Sequence, residues 1–131
     1  QAARDVLISV GKSFDKMISD ILALQVEKAL SEDTLKSMLL SLVKDYSSDI
    51  SVVFSENDKV KLQSFVLGEF QKALGQGVSV DSDKAIKYGF RVKLDGGNIS
   101  HEFTAPAIAQ AMSALVRPQI AEIVSNAAQG K

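Results

Sequence analysis

No cysteine occurs among the 131 residues. A disulfide framework, a thiolate nucleophile and a thiolate metal site are therefore excluded, and a reducing cytoplasm is permitted. No apolar run approaches the roughly 20 residues that span a bilayer. The N-terminus lacks a basic stretch followed by an uninterrupted apolar one, so no signal peptide is visible. An excess of charge is also missing. Fifteen Lys and Arg stand against sixteen Asp and Glu, for a net charge of −1. That balance offers no polycationic track for nucleic acid. Lys59, Lys61, Lys84, Lys87 and Lys93 are scattered among acids and read as a solvated face, and no Lys/Arg cluster marks a membrane-surface patch.

Histidine is nearly absent too: His101 is the only one. As a general base or metal ligand it would lack company, because a zinc site would need three carboxylates around it. Ile99 and Phe103 flank it on the same strand face, which places it at the edge of an apolar layer. Asp81, Asp83 and Asp95 do not match a calcium-loop spacing and lack its closing Glu. Gly75-Gln76-Gly77 follows a helix and leads into a strand, and Gly96-Gly97 joins two strands. Neither aims helix N–H groups at a phosphate. No Gly-x-Ser-x-Gly elbow is present. The residues thus predict no catalytic site, no cofactor site and no metal site.

What is present is apolar periodicity. A length of 131 residues suits one domain with one core. From Val6 to Leu30, Val6, Val10, Phe14, Met17, Ile18, Ile21, Leu22 and Val26 recur at three- and four-residue steps, predicting a helix weakened at Gly11. Leu7, Ile8, Ala23 and Leu24 widen its apolar arc. Either the helix packs from two sides within the domain, or its first half pairs with a helix of another chain. Ser31 caps a second helix with the stripe Leu35, Met38, Leu39, Leu42, Val43 and Tyr46. Ile50, Val52 and Phe54 alternate as a half-buried strand. Ser55 caps a third helix, with Val60, Leu67, Phe70 and Leu74 expected to face inward and Gly75 to end it. Val78 and Val80 mark a short strand.

The hairpin is the sharpest local prediction. With Gly96-Gly97 at a two-residue turn, Leu94 meets Ile99, Val92 meets His101 and Phe90 meets Phe103. Arg91 then meets Glu102 and Lys93 meets Ser100 on the other face, so apolar opposes apolar and plus opposes minus. Thr104 caps a last helix with Pro106 in its first turn and a buried stripe of Ile108, Met112, Leu115 and Val116. Pro118 is expected to break or kink it. Ile120, Ile123 and Val124 follow as a second apolar face, and the polar stretch from Ser125 to Lys131 should fray. The order αα-β-α-β-β-β-α predicts an α+β fold: N-terminal helices, then a small, mainly antiparallel sheet of about four strands packed with helices.

Three segments carry a family resemblance: "GFRVKL" with its glycine turn (89–97), "EFTAPAIAQAM" (102–112) and "LVRPQIAEIV" (115–124). Together they resemble the C-terminal domain of the E subunit of V-type/A-type rotary ATPases. Gln119 departs from the pattern, standing where an acidic residue is common. The resemblance implies a non-catalytic, cytoplasmic stator of a proton- or sodium-translocating motor, membrane-associated only through the complex. It implies helical pairing with the G subunit and anchorage of the catalytic head through the B subunit, in a hetero-oligomer without nucleic acid or membrane insertion. The chain opens on Gln1 with its apolar stripe already running. Residues 1–20 are accordingly expected to be the end of a longer stalk helix, and 21–131 the head-binding domain. Val6, Val10 and Phe14 are the residues expected to meet the G subunit, and Arg117 the one near the B subunit. A stator-like regulator of a type III secretion or flagellar ATPase has the same architecture and is the alternative. An enzyme or ligand-binding domain would instead need a deep polar pocket around His101.

Overall fold

The computed structural model describes the backbone of residues 2–128, and their side chains apart from those of 2–8, 10, 95, 117, 120, 121, 124 and 128. The elements run α1 (Ala2–Ala29), α2 (Glu32–Ser41), β1 (Ile50–Phe54), α3 (Glu56–Phe65), a π turn (Val66–Phe70), α4 (Gln71–Leu74), β2 (Val78–Ser82), β3 (Gly89–Leu94), β4 (Ile99–Thr104) and α5 (Ala105–Ala128). This is the expected α+β order. The chain forms two compact units, residues 27–105 and residues 1–26 with 106–131.

In the 27–105 unit the sheet order is β2-β1-β3-β4. β1 lies parallel to β2 and antiparallel to β3, and β4 is antiparallel to β3. A parallel pair cannot be closed by a tight turn, and the continuous helical segment from α3 to α4 supplies the crossover. β1 is therefore central. The sequence suggested a half-buried strand, yet all its residues except Ser51 are buried. The hairpin register is the expected one throughout, from Leu94 opposite Ile99 to Phe90 opposite Phe103. The turn is wider than two residues, because the ladder closes at Leu94–Ile99 and Asp95–Gly97 forms a 3₁₀ turn. Gly96 and Gly97 still take the positive φ angles of 67° and 95° for which glycine is suited.

One face of the sheet is covered by helices. Leu35 and Leu39 of α2 join Ile50, Val52, Phe54, Phe90 and Val92 of the strands and Leu62, Val66, Phe70 and Leu74 of the crossover in a single core. Phe90 stacks on Phe103 at 5.1 Å between ring centroids. Ser31 and Ser55 cap α2 and α3 through their hydroxyls, which accept from Thr34 N–H at 3.3 Å and Asp58 N–H at 3.2 Å. Gly75 ends α4 at φ 74°, its N–H donating to Gln71 O at 2.9 Å. α2 stops at Ser41, so Tyr46 reaches the core from beyond the helix, after Asp45 N–H closes a turn on Leu42 O.

The crossover corrects one expectation. Val60 and Leu67 were expected inside and are exposed, Val60 at 80%. The inward line is Leu62, Val66, Phe70 and Leu74. Four-residue steps overshoot an α-helical turn by about 40° each. The π turn at Val66–Phe70 holds one extra residue and takes up that overshoot, keeping the line on the sheet while Leu67 turns outward.

In the other unit, α1 and α5 meet at Ser19 Oγ–H, which donates to Ser113 Oγ at 3.2 Å. Among the described residues, the buried positions of α5 here are Ala109 and Ser113. Of the expected stripe, Ile108 and Val116 are half-buried, and Met112 and Leu115 are exposed. Small side chains bury where helices approach closely, and larger neighbours are displaced to the flanks. α5 also runs through Pro118 as one helix instead of stopping there. A proline removes one N–H bond of the ladder, and the rest of the helix continues around that gap. Ser125–Ala128 are helical where fraying was expected, Ile123 is exposed, and the side chains of Ile120 and Val124 lie outside the described residues.

Candidate functional site

α1 carries two apolar stripes. One includes the buried Val26 and the half-buried Ile18, Ser19 and Leu22. The other consists of Phe14, Met17, Ile21 and Leu24, which are 37% to 58% exposed. The steps between these four residues are three, four and three, the phase of a coiled-coil seam. At 3.6 residues per turn the two stripes stand roughly 130° apart around the helix. Packing from two sides within the domain is therefore not what the described residues show, since one stripe is covered and the other faces solvent.

Of the residues expected to bind partners, Phe14 sits on the exposed seam. Val6 and Val10 extend it at four-residue steps in sequence, but their side chains lie outside the described residues, as does that of Arg117 on α5. Met17, Ile21 and Leu24 belong to the seam and were not singled out. Their three-four-three spacing was the available signal, blurred because Met17 and Ile21 also fit a core stripe. α5 adds Met112, Leu115 and Ile123 to the exposed apolar residues of this unit.

The polar groups of the 27–105 unit serve its architecture. The Arg91 guanidinium pairs with Glu102 through Nε and with Asp83 through Nη1 at 3.1 Å. The cross-strand pair with Glu102 was legible from the hairpin register. Asp83 was not, because it comes from the connection after β2. Its carboxyl is held below the usual range, first by the Ala85 N–H that donates to it and then by Arg91. Asp81 accepts from Ser51 Oγ–H at 3.0 Å. The Asp95 side chain lies outside the described residues. Among the described residues, no three His, Cys, Asp or Glu side chains gather as a metal-ligand set.

His101 is exposed, and its Nδ1 lies 2.9 Å from Tyr46 Oη. Burial, and then the charge of Asp45, push the Tyr46 phenol up. With Nδ1 as acceptor, the hydroxyl donates and the ring is held against the sheet edge. An open cleft of about 600 Å³ lies elsewhere, between the first turns of α2 and α3. Its lysines, Lys61, Lys84 and Lys87, are matched by Glu32, Glu56 and Asp58. It contains neither His101 nor Tyr46. No helix of the described residues is long and apolar enough to cross a membrane.

No protein-family model matches the chain. Curated proteins do. It is 27% identical over 134 residues to the E subunit of the V-type ATP synthase of Treponema denticola, covering 98% of this chain and 65% of the relative. The E subunit of the V-type proton ATPase of Treponema pallidum is 26% identical over 129 residues, covering 95% of this chain and 56% of that protein. The E subunit of the V-type ATP synthase of Borreliella afzelii is 22% identical over 127 residues, with 95% and 64% coverage. The likeness to the E subunit, read from three segments after Tyr88, thus extends over nearly the whole chain. The chain spans about 56–65% of the length of these relatives.

Proposed function

We propose that this chain is the head-binding part of a peripheral-stalk subunit in a V-type/A-type rotary ATPase, with a structural and not a catalytic role. In this reading α1 pairs with a helix of the G subunit, its first 20 residues being the end of the stalk helix. The rest holds the catalytic head through the B subunit, with Arg117 on α5 at that contact, and the protein is cytoplasmic, joined to the membrane only through the motor. The observation that carries the reading is the second, unoccupied stripe of α1, Phe14, Met17, Ile21 and Leu24, in a chain similar to E subunits over 95–98% of its residues. A stator has to transmit torque without reacting. A core sealed on one side of a sheet, and helices that keep large apolar side chains outside, suit that task. The names of the relatives favour this over a secretion-ATPase regulator.

The test is co-purification with the G and B subunits from the same source. Phe14→Asp and Ile21→Asp are expected to weaken the complex with the G subunit about 100-fold or more, as loss of central apolar anchors does. Far-UV circular dichroism of the free chain should be unchanged. Arg117→Ala should weaken capture of the B subunit and leave pairing with the G subunit intact. Val60→Asp, at an exposed apolar position of the other unit, should alter neither. Unimpaired binding of the G subunit by both α1 variants would remove the assignment of the seam.

A further inference from the structure

With no cysteine in the chain, the thioethers of Met17, Met38 and Met112 are its only oxidisable sulfurs. A thioether reacts with peroxides where solvent reaches it, and the product is a polar side chain in place of a flexible apolar one. The three methionines are placed differently. Met38 is partly buried against the core of the 27–105 unit. Met17 and Met112 are 47% and 42% exposed. Of these two, only Met17 stands on the seam of α1, three residues after Phe14 and four before Ile21.

The cost of a sulfoxide depends on where its oxygen ends up. On a face left in water it costs little, because water hydrogen-bonds the new oxygen. Between paired helices that oxygen loses its water, and the seam residues on either side, Phe14 and Ile21, are hydrocarbon and offer it no donor. Burying a polar group without a partner weakens an association by about ten-fold or more.

We propose that Met17 is an oxidative modification site: peroxide converts it to the sulfoxide in the unpaired chain, and the sulfoxide opposes pairing of the seam. The site rests on the stator reading, in which the seam meets a helix of the G subunit, and makes that contact sensitive to oxidant. In the step itself the sulfur lone pair attacks one peroxide oxygen, the O–O bond breaks and an S=O bond forms. With hydrogen peroxide, the departing hydroxide takes up a proton and leaves as water. Sulfur is oxidised by two electrons and the peroxide is reduced by two. Methionine sulfoxide reductases reverse the change, one enzyme for each sulfoxide epimer, with a dithiol as the reductant that becomes a disulfide. A covered seam keeps peroxide from the sulfur, so the chain is open to modification before assembly and closed to it afterwards.

The experiment treats the whole free chain with hydrogen peroxide, quenches it, and only then adds the untreated G subunit. Peptide mass spectrometry should find one added oxygen on Met17 and Met112 well before Met38. Far-UV circular dichroism of the oxidised chain should be unchanged, while capture of the G subunit falls about ten-fold or more. Met17→Leu should keep its binding after peroxide, and Met112→Leu should lose it as the wild type does. The two sulfoxide reductases with dithiothreitol should restore the wild type. Met17→Gln, a polar side chain placed there without oxidant, should weaken capture to a similar extent, and it decides alone if the oxidised chain unfolds. Full binding by chain oxidised at Met17, with Ile21→Asp still disruptive, overturns the proposal and leaves the stator reading standing. So does an equal loss in Met17→Leu, which would place the damage elsewhere. Binding that survives both oxidation and Ile21→Asp removes the seam assignment, and the modification site with it.

Discussion

The two units use apolar residues in opposite ways. In the 27–105 unit most large side chains are inside, Val60, Leu67, Tyr88 and Ile99 apart: Phe54, Phe70, Phe90, Leu35, Leu39 and Leu62 are fully buried on one side of the sheet. Among the described residues of 1–26 and 106–131, the buried ones on α5 are Ala109 and Ser113, while Phe14, Met17, Ile21, Leu24, Met112, Leu115 and Ile123 stay exposed. Burying a large apolar side chain is worth about 1.5–3 kcal/mol. The first unit has taken that gain on its own, and the second leaves much of it untaken among the described residues. The contrast separates a body with a sealed core from helices that keep large apolar side chains outside.

Substitutions can sharpen or break this contrast. The largest effect is expected from Phe54→Ala, which should destabilise the chain by about 3–5 kcal/mol in urea unfolding. Leu115→Ala, at a position 78% exposed, should stay within about 0.5 kcal/mol. Comparable losses for both would mean that α5 is packed where it stands exposed.

Glycine substitutions come next. Gly89 has φ 93°, and a Cβ there would overlap the Phe103 carbonyl oxygen and lie 2.7 Å from Thr104 Cα. Gly89→Ala should therefore cost about 3 kcal/mol in thermal or urea unfolding, as forced backbone strain does. Gly11 sits in α1 with nothing within 4 Å of such a Cβ, and Gly11→Ala should raise stability by about 1 kcal/mol. The same chemical change thus acts in opposite directions in the two units.

The smallest effect is electrostatic. The Asp83 carboxyl is lowered in the folded state, so its contribution is present above the unfolded carboxylate value and is lost as pH falls through the folded one. Stability of the wild-type chain should decline on acidification below about pH 4. Arg91→Met should flatten that decline only in part, because the first cause of the shift, the Ala85 N–H, remains. Urea midpoints measured from about pH 6 down to about pH 2.5, a range that brackets the carboxylate values, would show it. A slope unchanged by Arg91→Met would leave Arg91 with no part in holding Asp83.

Legibility followed the range of the interactions. The hairpin register, the Ser31 and Ser55 caps and the Gly75 stop involve residues close in sequence, where one pattern satisfies every local constraint. The exposed seam was legible only as an excess of apolar residues on α1. Two stripes overlap in its sequence, and periodicity does not say which one finds a neighbour. Tyr46 and His101 are 55 residues apart, and Asp83 reaches Arg91 from a loop. Neither pairing has a local signature.

By itself the sequence determined the α+β element order, the antiparallel hairpin and its pairing, the absence of thiol chemistry and the likeness to the E subunit. Each of these depends on residue identity and short spacing alone. The tertiary structure decided that β1 is central, that a π turn carries Leu62, Val66, Phe70 and Leu74 inward while turning Leu67 out, and that α1 keeps one stripe for solvent. Those outcomes depend on which surfaces compete for the same neighbours, and that competition exists only once distant segments of the chain have met.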